Sequence, residues 1–338
     1  MGYRAEKLKV EKQVKILKRV ALCILCVIVA AVVVFSAFVP PESWKYYVKM
    51  PDVGKRYTGE LRIHFVDVGQ GDATIIELPD GKTMLIDGGD GSGSAEKSLM
   101  RYLNALKIKK LDYLVATHAD SDHCGGLDTV LKYKAVSTVY LPTSKPETSQ
   151  AYAEFYTALV EEDCRRFYAN KSVILDNESE DTPYKLRFLY PYTSDTEDEE
   201  TDQVITEADE NLRSAVIWLE YNGFQALFMG DVPYEIEADL VFDDQNYFAE
   251  QGITLSDMEL LKVSHHGSQY ATSAEFLSHL HLKTAVISCG AGNVYGHPHE
   301  SVLKRLQSAT ADVWRTDLQG HIFATVYADG NYQMRNIR

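Results

Sequence analysis

The sequence predicts a mixed α/β domain that follows a single membrane-spanning helix. Residues 20–39 are apolar except for Ser36, and about twenty apolar residues are enough for a helix to cross a bilayer. From Glu60 onward, short apolar runs alternate with segments of helical spacing, a pattern typical of a chain that alternates between strands and helices. With 338 residues, the chain is long enough for one large domain with a substantial core.

The flanks of the apolar run predict its orientation. Seven Lys and Arg side chains precede Val20, and the positive-inside rule places them in the cytoplasm and the chain beyond Val39 outside. A secretory signal peptide has a shorter apolar stretch, which favours an uncleaved anchor, while the sequence Val29-Ala30-Ala31 leaves cleavage as the alternative. We therefore predict a cytoplasmic basic segment (1–19), a transmembrane anchor (20–39), a linker (40–59) and one folded domain (60–338).

The charge of the chain limits its partners. The formal net charge is −15, and residues 1–39 carry seven basic and two acidic side chains, so the remainder carries −20. Such an acidic domain does not bind long nucleic acids through a broad electrostatic surface, although a local basic groove or a phosphate held by a metal is compatible with it. The five cysteines imply no disulfide framework: Cys23 and Cys26 lie in the apolar run and are interpreted as packing residues, and Cys124, Cys164 and Cys289 lack metal-ligand spacing.

The first half of the domain predicts strands at 61–68, 73–78 and 83–86, with a turn at Pro79-Asp80-Gly81. Residues 97–107 have helical spacing, and the apolar run 111–116 is typical of a buried strand. A helix at 127–133, a strand at 137–141 and a helix at 149–167 follow.

The second half begins with residues 193–211, which are rich in Asp, Glu and Thr and predict an exposed loop; an acidic gate beside a functional site is the alternative. Strands are predicted at 215–221 and 225–229 around the turn Asn222-Gly223. Further strands are predicted at 260–264 and 284–288, and helices at 273–280 and 300–307.

The string His118-Ala119-Asp120-Ser121-Asp122-His123 places four potential metal ligands within six residues. It follows a predicted buried strand and precedes Gly125-Gly126, which permit a tight turn. Imidazoles and carboxylates on such a loop can converge on a divalent cation that activates water. The alternative is a polar loop in which Asp120 or Asp122 caps the next helix, but capping needs only one such side chain. The string therefore predicts a metal site.

Other polar residues follow predicted strands in the same way. Asp87 ends the strand at 83–86 and could orient a ligand histidine, or only cap a turn. Asp231 follows an apolar strand and a glycine, which suits an acid that bridges two cations, but a turn aspartate is the equal alternative. His265 and His266 are neighbours and point in different directions, so one could bind metal while the other contacts substrate.

Two weaker groups lie near the C-terminus. His297 and His299 flank Pro298 and could line a pocket. Arg315 could bind an anion or pair with Asp317. For both groups a functional and a structural role are weighed equally.

Seven short motifs together resemble the metallo-β-lactamase-fold domain of the competence protein ComEC and its stand-alone relatives. They occur in order from Glu60 to the C-terminus: FVDVGQGDA (65–73), LIDGG (85–89), THADSDHCGG (117–126), MGD (229–231), KVSHHGS (262–268), YGHPH (295–299) and RTD (315–317). The resemblance implies an αββα sandwich of two mixed sheets, with a metal site at one sheet edge. It also implies hydrolysis, often of phosphodiesters.

The same resemblance implies the roles of individual residues. One or two divalent ions, Zn or Mn, would be held by His118, Asp120, Asp122, His123, Asp231 and His266, with Asp231 as the bridging acid and His265 as a substrate contact. Around them, supporting or substrate-contacting positions would be Asp67, Asp72, Asp87, Ser268, His297, His299, Arg315 and Asp317. The chain departs from the broader superfamily in two places: Asp120 stands where a histidine is usual, and residues 211–214 supply no imidazole. The first metal position therefore has few nitrogen ligands.

From these observations we expect a membrane-anchored, outward-facing, metal-dependent hydrolase, a phosphodiesterase or nuclease. Asp120 or Asp122 would accept a proton, and His265 would stabilise charge in the transition state. The substrate would be a phosphodiester, in nucleic acid or in a cell-wall polymer; the membrane is contacted through residues 20–39, and no protein partner is expected. The alternatives are a phosphorylcholine-type esterase acting on the cell wall and a non-catalytic binding or scaffold protein.

Overall fold

The computed structural model describes residues 2–143, 149–179, 181–192, 210–309 and 311–337. It contains two compact units, residues 1–48 and 49–338. In the first unit, α1 (Gly2–Phe38) is followed by a short 3-10 helix (Pro41–Tyr46). Residues 8–38 of α1 are long and apolar enough to cross a membrane, judged by length and composition. The first half of the predicted linker is therefore helical.

The second unit has two sheets and helices outside them. Its strands are β1 (Leu61–Phe65), β2 (Thr74–Glu77), β3 (Thr83–Ile86), β4 (Lys110–Val115), β5 (Ala135–Leu141), β6 (Arg165–Tyr168), β7 (Lys185–Tyr190), β8 (Val216–Tyr221), β9 (Phe224–Phe228), β10 (Leu260–Lys262), β11 (Thr284–Ile287), β12 (Asp312–Arg315), β13 (His321–Val326) and β14 (Tyr332–Ile337). Its helices are α2 (Gly93–Ala105), α3 (Ser121–Cys124), α4 (Leu127–Tyr133), α5 (Gln150–Val160), α6 (Tyr234–Asn246), α7 (Ala274–Leu280), α8 (Glu300–Ser308) and α9 (Thr316–Gln319). The predicted mixed α/β class is confirmed.

The strand order is β14-β13-β1-β2-β3-β4-β5-β6 in the larger sheet and β12-β11-β10-β9-β8-β7 in the smaller. Strand β8 shows how the sheets form layers. Ile217 and Leu219 lie in the core between the two sheets, whereas Val216 and Trp218 lie in a second core with side chains from α6, α7 and α8. This alternation follows from the two-residue period of a strand. The apolar, unalternating sequence of such strands reflects burial on both faces.

Some predicted elements differ from the structure. The helix predicted at 149–167 is wrong beyond Val160, because Arg165–Tyr168 forms the edge strand β6, parallel to β5. An edge strand with mostly exposed side chains has no burial alternation to distinguish it from a helix. The elements β7, α6, β12, β13 and β14, and the short helices α3 and α9, were not predicted. The acidic loop predicted at 193–211 lies outside the described residues as far as residue 209.

The topology brings the polar strand ends together. Strands β3, β4 and β5 run parallel in one sheet, and β9, β10 and β11 run parallel in the other. The carboxyl ends of parallel strands meet at one edge of a sheet, and ligand sites form there in open α/β sheets. The loops after β3, β4, β9 and β10 carry Asp87, His118, Asp231 and His265, respectively.

Candidate metal centre

Asp87 holds the loop that carries the histidine string. Its backbone has a positive φ of 59°, and its Oδ1 accepts a hydrogen bond from the Thr117 amide at 2.8 Å. Its Oδ2 accepts one from the Thr117 hydroxyl at 2.7 Å and lies 2.8 Å from Nδ1 of His123. An imidazole that donates from Nδ1 presents an unprotonated Nε2 to a metal. Asp87 thus lies where a residue that orients a ligand histidine would lie.

The paired histidines occupy a strained turn after β10. His265 and His266 have φ values of 50° and 53°, a region that residues other than glycine adopt at a cost of about 1–3 kcal/mol. The turn is held by the His265 amide, which donates to the carbonyl of Gly230 at 3.0 Å. As a result the two side chains diverge: His266 is buried, whereas the His265 side chain is 26% exposed.

Four side chains converge on one point. Nε2 of His266 lies 3.3 Å from Nε2 of His123 and 3.2 Å from Oδ2 of Asp122. The two oxygens of Asp231 lie 3.3 Å from the Nε2 atoms of His123 and His266, one to each. Ligands placed at zinc–nitrogen distances in a tetrahedron are separated by roughly 3.3 Å. His123, Asp231 and His266 therefore fit one divalent cation, and Asp122 reaches the same point beside His266.

The electrostatics of this point favour ionised acids. Burial raises the pKa of Asp231, but the neighbouring imidazoles of His123 and His266 outweigh burial and hold that pKa well below its ordinary value. Burial also raises the pKa of Asp122, but the hydrogen bond to His266 and the neighbouring His123 outweigh burial and lower that pKa below its ordinary value. Oδ1 of Asp231 is buried and has no hydrogen-bond partner within the described part of the chain. A buried oxygen without a donor suits a metal ligand.

A second point lies beside the first, around His118. Its ring centroid is 4.1 Å from that of His123, and its Nδ1 lies 3.0 Å from the Thr117 hydroxyl and 3.3 Å from the Ser214 hydroxyl. Nε2 of His118 is buried and unpartnered among the residues described, and Oδ2 of Asp120 lies 3.5 Å from it. The second point thus has one imidazole, that of His118, and one carboxylate, that of Asp120, next to each other.

Ser214 belongs to the stretch where the superfamily has a further histidine, and sequence reasoning assigned it no role. Its hydroxyl also accepts a hydrogen bond from the Asp231 amide at 3.0 Å. Ser214 thus links the imidazole of His118 to the backbone of Asp231 and adds no nitrogen ligand.

Asp72 lies behind these ligands and is paired with Lys262. Ligand atoms of Asp72, His123, Asp231 and His266 lie within 4.8 Å of one another. The carboxylate of Asp72 faces Nδ1 of His123 at 3.9 Å and Nδ1 of His266 at 3.7 Å, the sides turned away from the convergence point. Its Oδ2 contacts Nζ of the buried Lys262. Sequence reasoning missed Lys262, although a lysine that ends an apolar strand just before paired histidines is a usable signal.

The other predicted site residues divide into two groups. The ring of His297 lies 5.5 Å from that of His265 and 6.1 Å from that of His266; burial and the neighbouring His266 lower its pKa to about 4. His299 accepts a hydrogen bond from the Gln269 amide at 3.1 Å. The remaining predicted residues make local contacts: Arg315 pairs with Asp317 at 3.0 and 2.6 Å, Asp67 accepts from the Gly69 amide, and Ser268 from the Tyr270 amide.

The donor set suits a divalent cation. Nitrogen and carboxylate ligands are those of zinc sites, and a larger share of carboxylates suits manganese. The unpartnered Nε2 of His118 and Oδ1 of Asp231 are oriented for such a group. The residues present therefore fit one ion at the first point described and allow a second beside His118.

Comparison with known proteins shows which family this chain resembles. Residues 66–291 match the family description "Metallo-beta-lactamase superfamily". The chain is 31% identical over 286 residues to ComE operon protein 3 of Bacillus subtilis (strain 168), covering 78% of this chain and 33% of that protein. It is 30% identical over 272 residues to Recombination protein 2 of Haemophilus influenzae, covering 79% and 29%. It is 28% identical over 261 residues to competence protein ComA of Neisseria gonorrhoeae, covering 77% and 32%.

The chain spans about a third of the length of these curated relatives. The resemblance to ComEC-like competence proteins and the metallo-β-lactamase fold inferred from the seven motifs are confirmed. The chain belongs to the metallo-β-lactamase superfamily.

Proposed function

We propose that this protein is a metal-dependent hydrolase that cleaves phosphodiester bonds. The observation that carries the proposal is the convergence of His123, Asp231 and His266 at mutual separations of 3.3 Å, with Asp122 3.2 Å from His266. The superfamily consists generally of metal-dependent hydrolases. We further propose that α1 anchors the chain in the membrane and that the hydrolase unit faces outward.

The chain's own residues have distinct tasks in this proposal. Asp122, His123, Asp231 and His266 would hold the first ion, and His118 and Asp120, with Asp231, a second. A divalent cation supplies Lewis acidity and lowers the pKa of water to near neutrality. The Asp120 side chain is 23% exposed at the rim, so it can accept a proton and pass it to solvent.

His265 supplies a neutral donor beside the acids. Its Nε2 lies 3.9 Å from Oδ2 of Asp231, and burial lowers its pKa even though Asp231 opposes this. At neutral pH the imidazole therefore keeps one N–H, which can donate to a phosphate oxygen as charge develops there.

The choice of a phosphodiester has two supports. The site has carboxylates at three of its six ligand positions, and carboxylate-rich sites suit the hard cations common in phosphoryl chemistry. One relative is named for recombination and one for competence, processes that concern DNA. The strong negative charge of the domain favours recognition of the scissile phosphate at the metal over recognition of a long polyanion.

The test uses the full chain, purified in detergent, stripped of metal and reloaded with Mn²⁺ or Zn²⁺. We expect turnover of bis(p-nitrophenyl) phosphate only after reloading. Asp231→Asn should lower kcat/KM by about 100-fold or more, because it removes charge from the shared ligand. The control is Asp329→Asn, which removes a carboxylate from an exposed turn and should leave turnover unchanged.

Other outcomes of this experiment would contradict the proposal or favour one of the two alternative functions. Full activity of Asp231→Asn contradicts the proposed site. Turnover of p-nitrophenylphosphorylcholine or simple esters without turnover of bis(p-nitrophenyl) phosphate favours the esterase. A metal-loaded chain that turns over no substrate of either kind favours a binding protein.

A further inference from the structure

A buried ion pair lies directly behind the metal ligands. Lys262 ends β10 with its side chain 3% exposed, and Asp72 is 5% exposed. Nζ of Lys262 contacts Oδ2 of Asp72 and donates to the carbonyl of Val263 at 2.9 Å. Removing either charge alone would leave the other buried and uncompensated.

The backbone of Asp72 is hydrogen-bonded on both sides to segments of the site. Its amide donates to the carbonyl of Asp122 at 3.0 Å, and its carbonyl accepts from the amide of Gly89 at 2.8 Å. The backbone of Asp72 is thus fixed next to the segment that carries Asp122 and His123. Only the side chain of Asp72 can rotate toward a different partner.

The carboxylate of Asp72 is close enough to compete for the cation. Its ligand atom lies within 4.8 Å of those of His123, Asp231 and His266, and its Oδ1 has no hydrogen-bond partner in the described segments. The nearby Nδ1 atoms of the two histidines already have acceptors at 2.8 Å (Asp87) and 3.0 Å (carbonyl of Ser288). Lys262 is therefore the group that pairs with the Asp72 carboxylate.

We propose that Lys262 withholds Asp72 from the metal and so keeps one coordination position open. Four protein ligands complete a tetrahedral zinc site, and catalytic zinc sites can expand to a fifth position when water or substrate binds. A fifth protein donor within reach would fill that position. The inference rests on the proposed metal-dependent hydrolysis, and it makes Lys262 a positioning residue that acts through Asp72.

The proposal predicts opposite changes in binding and turnover. Lys262→Met frees Asp72, whose side chain can rotate to join the ligands. We expect the variant to bind Zn²⁺ about tenfold more tightly, because an added charged ligand raises affinity. We expect its kcat to fall by about 100-fold, because the open position is lost. The double variant Asp72→Asn/Lys262→Met lacks the competing carboxylate and should return toward wild-type affinity, with a higher kcat than the single variant.

Zn²⁺ affinity is measured on the full chain in detergent by competition with a chromogenic chelator, with no substrate present. The visible spectrum of the Co²⁺-loaded chain reports any change in coordination. The control is Lys134→Met. This second buried lysine donates to Asn104 at 2.6 Å and to the carbonyl of Ile108 at 2.7 Å, at the opposite end of β5 from the site. It should lower the melting temperature without changing Zn²⁺ affinity.

A folded Lys262→Met variant that binds Zn²⁺ no more tightly than wild type overturns the inference, as does a double variant that matches the single one in affinity and Co²⁺ spectrum. If Lys262→Met does not fold, the double variant decides: Zn²⁺ affinity near that of wild type supports the inference, and loss of binding overturns it. A wild-type chain that binds no Zn²⁺ instead overturns the proposed function.

Discussion

Each imidazole at the metal centre has its Nδ1 against an oxygen atom, and this sets which nitrogen faces the cation. One of these oxygens belongs to a charged carboxylate, and the other two belong to a neutral hydroxyl and a neutral backbone carbonyl. A carboxylate partner makes an imidazole a more basic ligand than a neutral partner does. The pairs are His123 with Asp87, His118 with Thr117 and His266 with Ser288.

The residue with the clearest effect on metal choice is Asp120. It stands beside His118, where the superfamily usually has a histidine, and Ser214 contributes a hydroxyl instead of an imidazole. Carboxylates favour Mn²⁺ and imidazoles favour Zn²⁺. We therefore predict that Mn²⁺ supports at least as much turnover as Zn²⁺, and that Asp120→His shifts the preference toward Zn²⁺.

The measurement is kcat/KM of the metal-stripped chain over a concentration series of each ion, for wild type and variant. Asp90→His adds an imidazole to an exposed loop and should leave the preference unchanged. The prediction is wrong if Zn²⁺ alone restores the wild type and Asp120→His behaves identically.

Single residues also show how far the site could be predicted. Asp122 and His123 lie in one string, and Asp231 and His266 follow apolar strands, so each was visible as a polar residue at a strand end. Lys262 was equally visible at a strand end, but its role was not, because that role depends on a partner 190 residues away in the loop between β1 and β2. Linear spacing carries no information on which side chains meet when two sheets pack together.

At the scale of elements, the loop between β1 and β2 sets the position of α3. Gly71 in this loop has a φ of 126°, and a Cβ there would collide with the carbonyl oxygen of Asp122. Gly81, in the following turn, has a φ of 92° but no atom within 4 Å of such a Cβ. Both glycines have a positive φ, but only at Gly71 would an added Cβ collide with another residue.

We predict that Gly71→Ala weakens metal binding and Gly81→Ala does not. Both variants meet an unfavourable backbone region, which costs about 1–2 kcal/mol of unfolding free energy. Only Gly71→Ala also displaces the segment that carries Asp122 and His123. Zn²⁺ affinity and urea unfolding of both variants test this, and equal Zn²⁺ affinities would contradict it.

The elements that could be predicted share one property. Strands β3 and β9 are buried along their whole length and β8 at every residue except Glu220, and their apolar runs are bounded by turn residues. The unpredicted helix α6 buries Glu237 and Asp243 among its apolar residues, so its sequence lacks a clean apolar face. Strand β14 is an edge strand with exposed and half-buried side chains. Tertiary contacts, not local pattern, determine these elements.

At the scale of the whole molecule, α1 is longer than a bilayer requires. Its 37 residues extend about 55 Å at 1.5 Å per residue, whereas the hydrocarbon core is about 30 Å thick. The apolar part lies in its C-terminal half, and the basic residues lie in its N-terminal half. This distribution supports a helix whose basic half stays on the cytoplasmic side.

The proposed topology predicts which cysteines are reachable in intact cells. In a chain with Cys23→Ala, Cys26→Ala and Cys164→Ser, which removes the cysteines that are not buried, we expect Ser308→Cys, exposed on α8, to react with a membrane-impermeant maleimide before lysis. Lys12→Cys, exposed on the basic half of α1, should react only after lysis. The native Cys124 and Cys289 are buried, and burial raises the pKa of each thiol to about 12, so neither contributes background. The reverse labelling pattern would show an inverted chain.

The ligands of the site come from both sheets, and His123 and His266 are separated by 143 positions in the sequence. A chain that is still being threaded through a narrow translocation channel is extended, and it cannot bring these two rings within a bond length of one ion. In the proposed topology, the cation would then be taken from the compartment in which the sheets first close on each other. Metal identity would thus record where the protein matured, and the ion supply of that compartment would set which ion the proposed site carries.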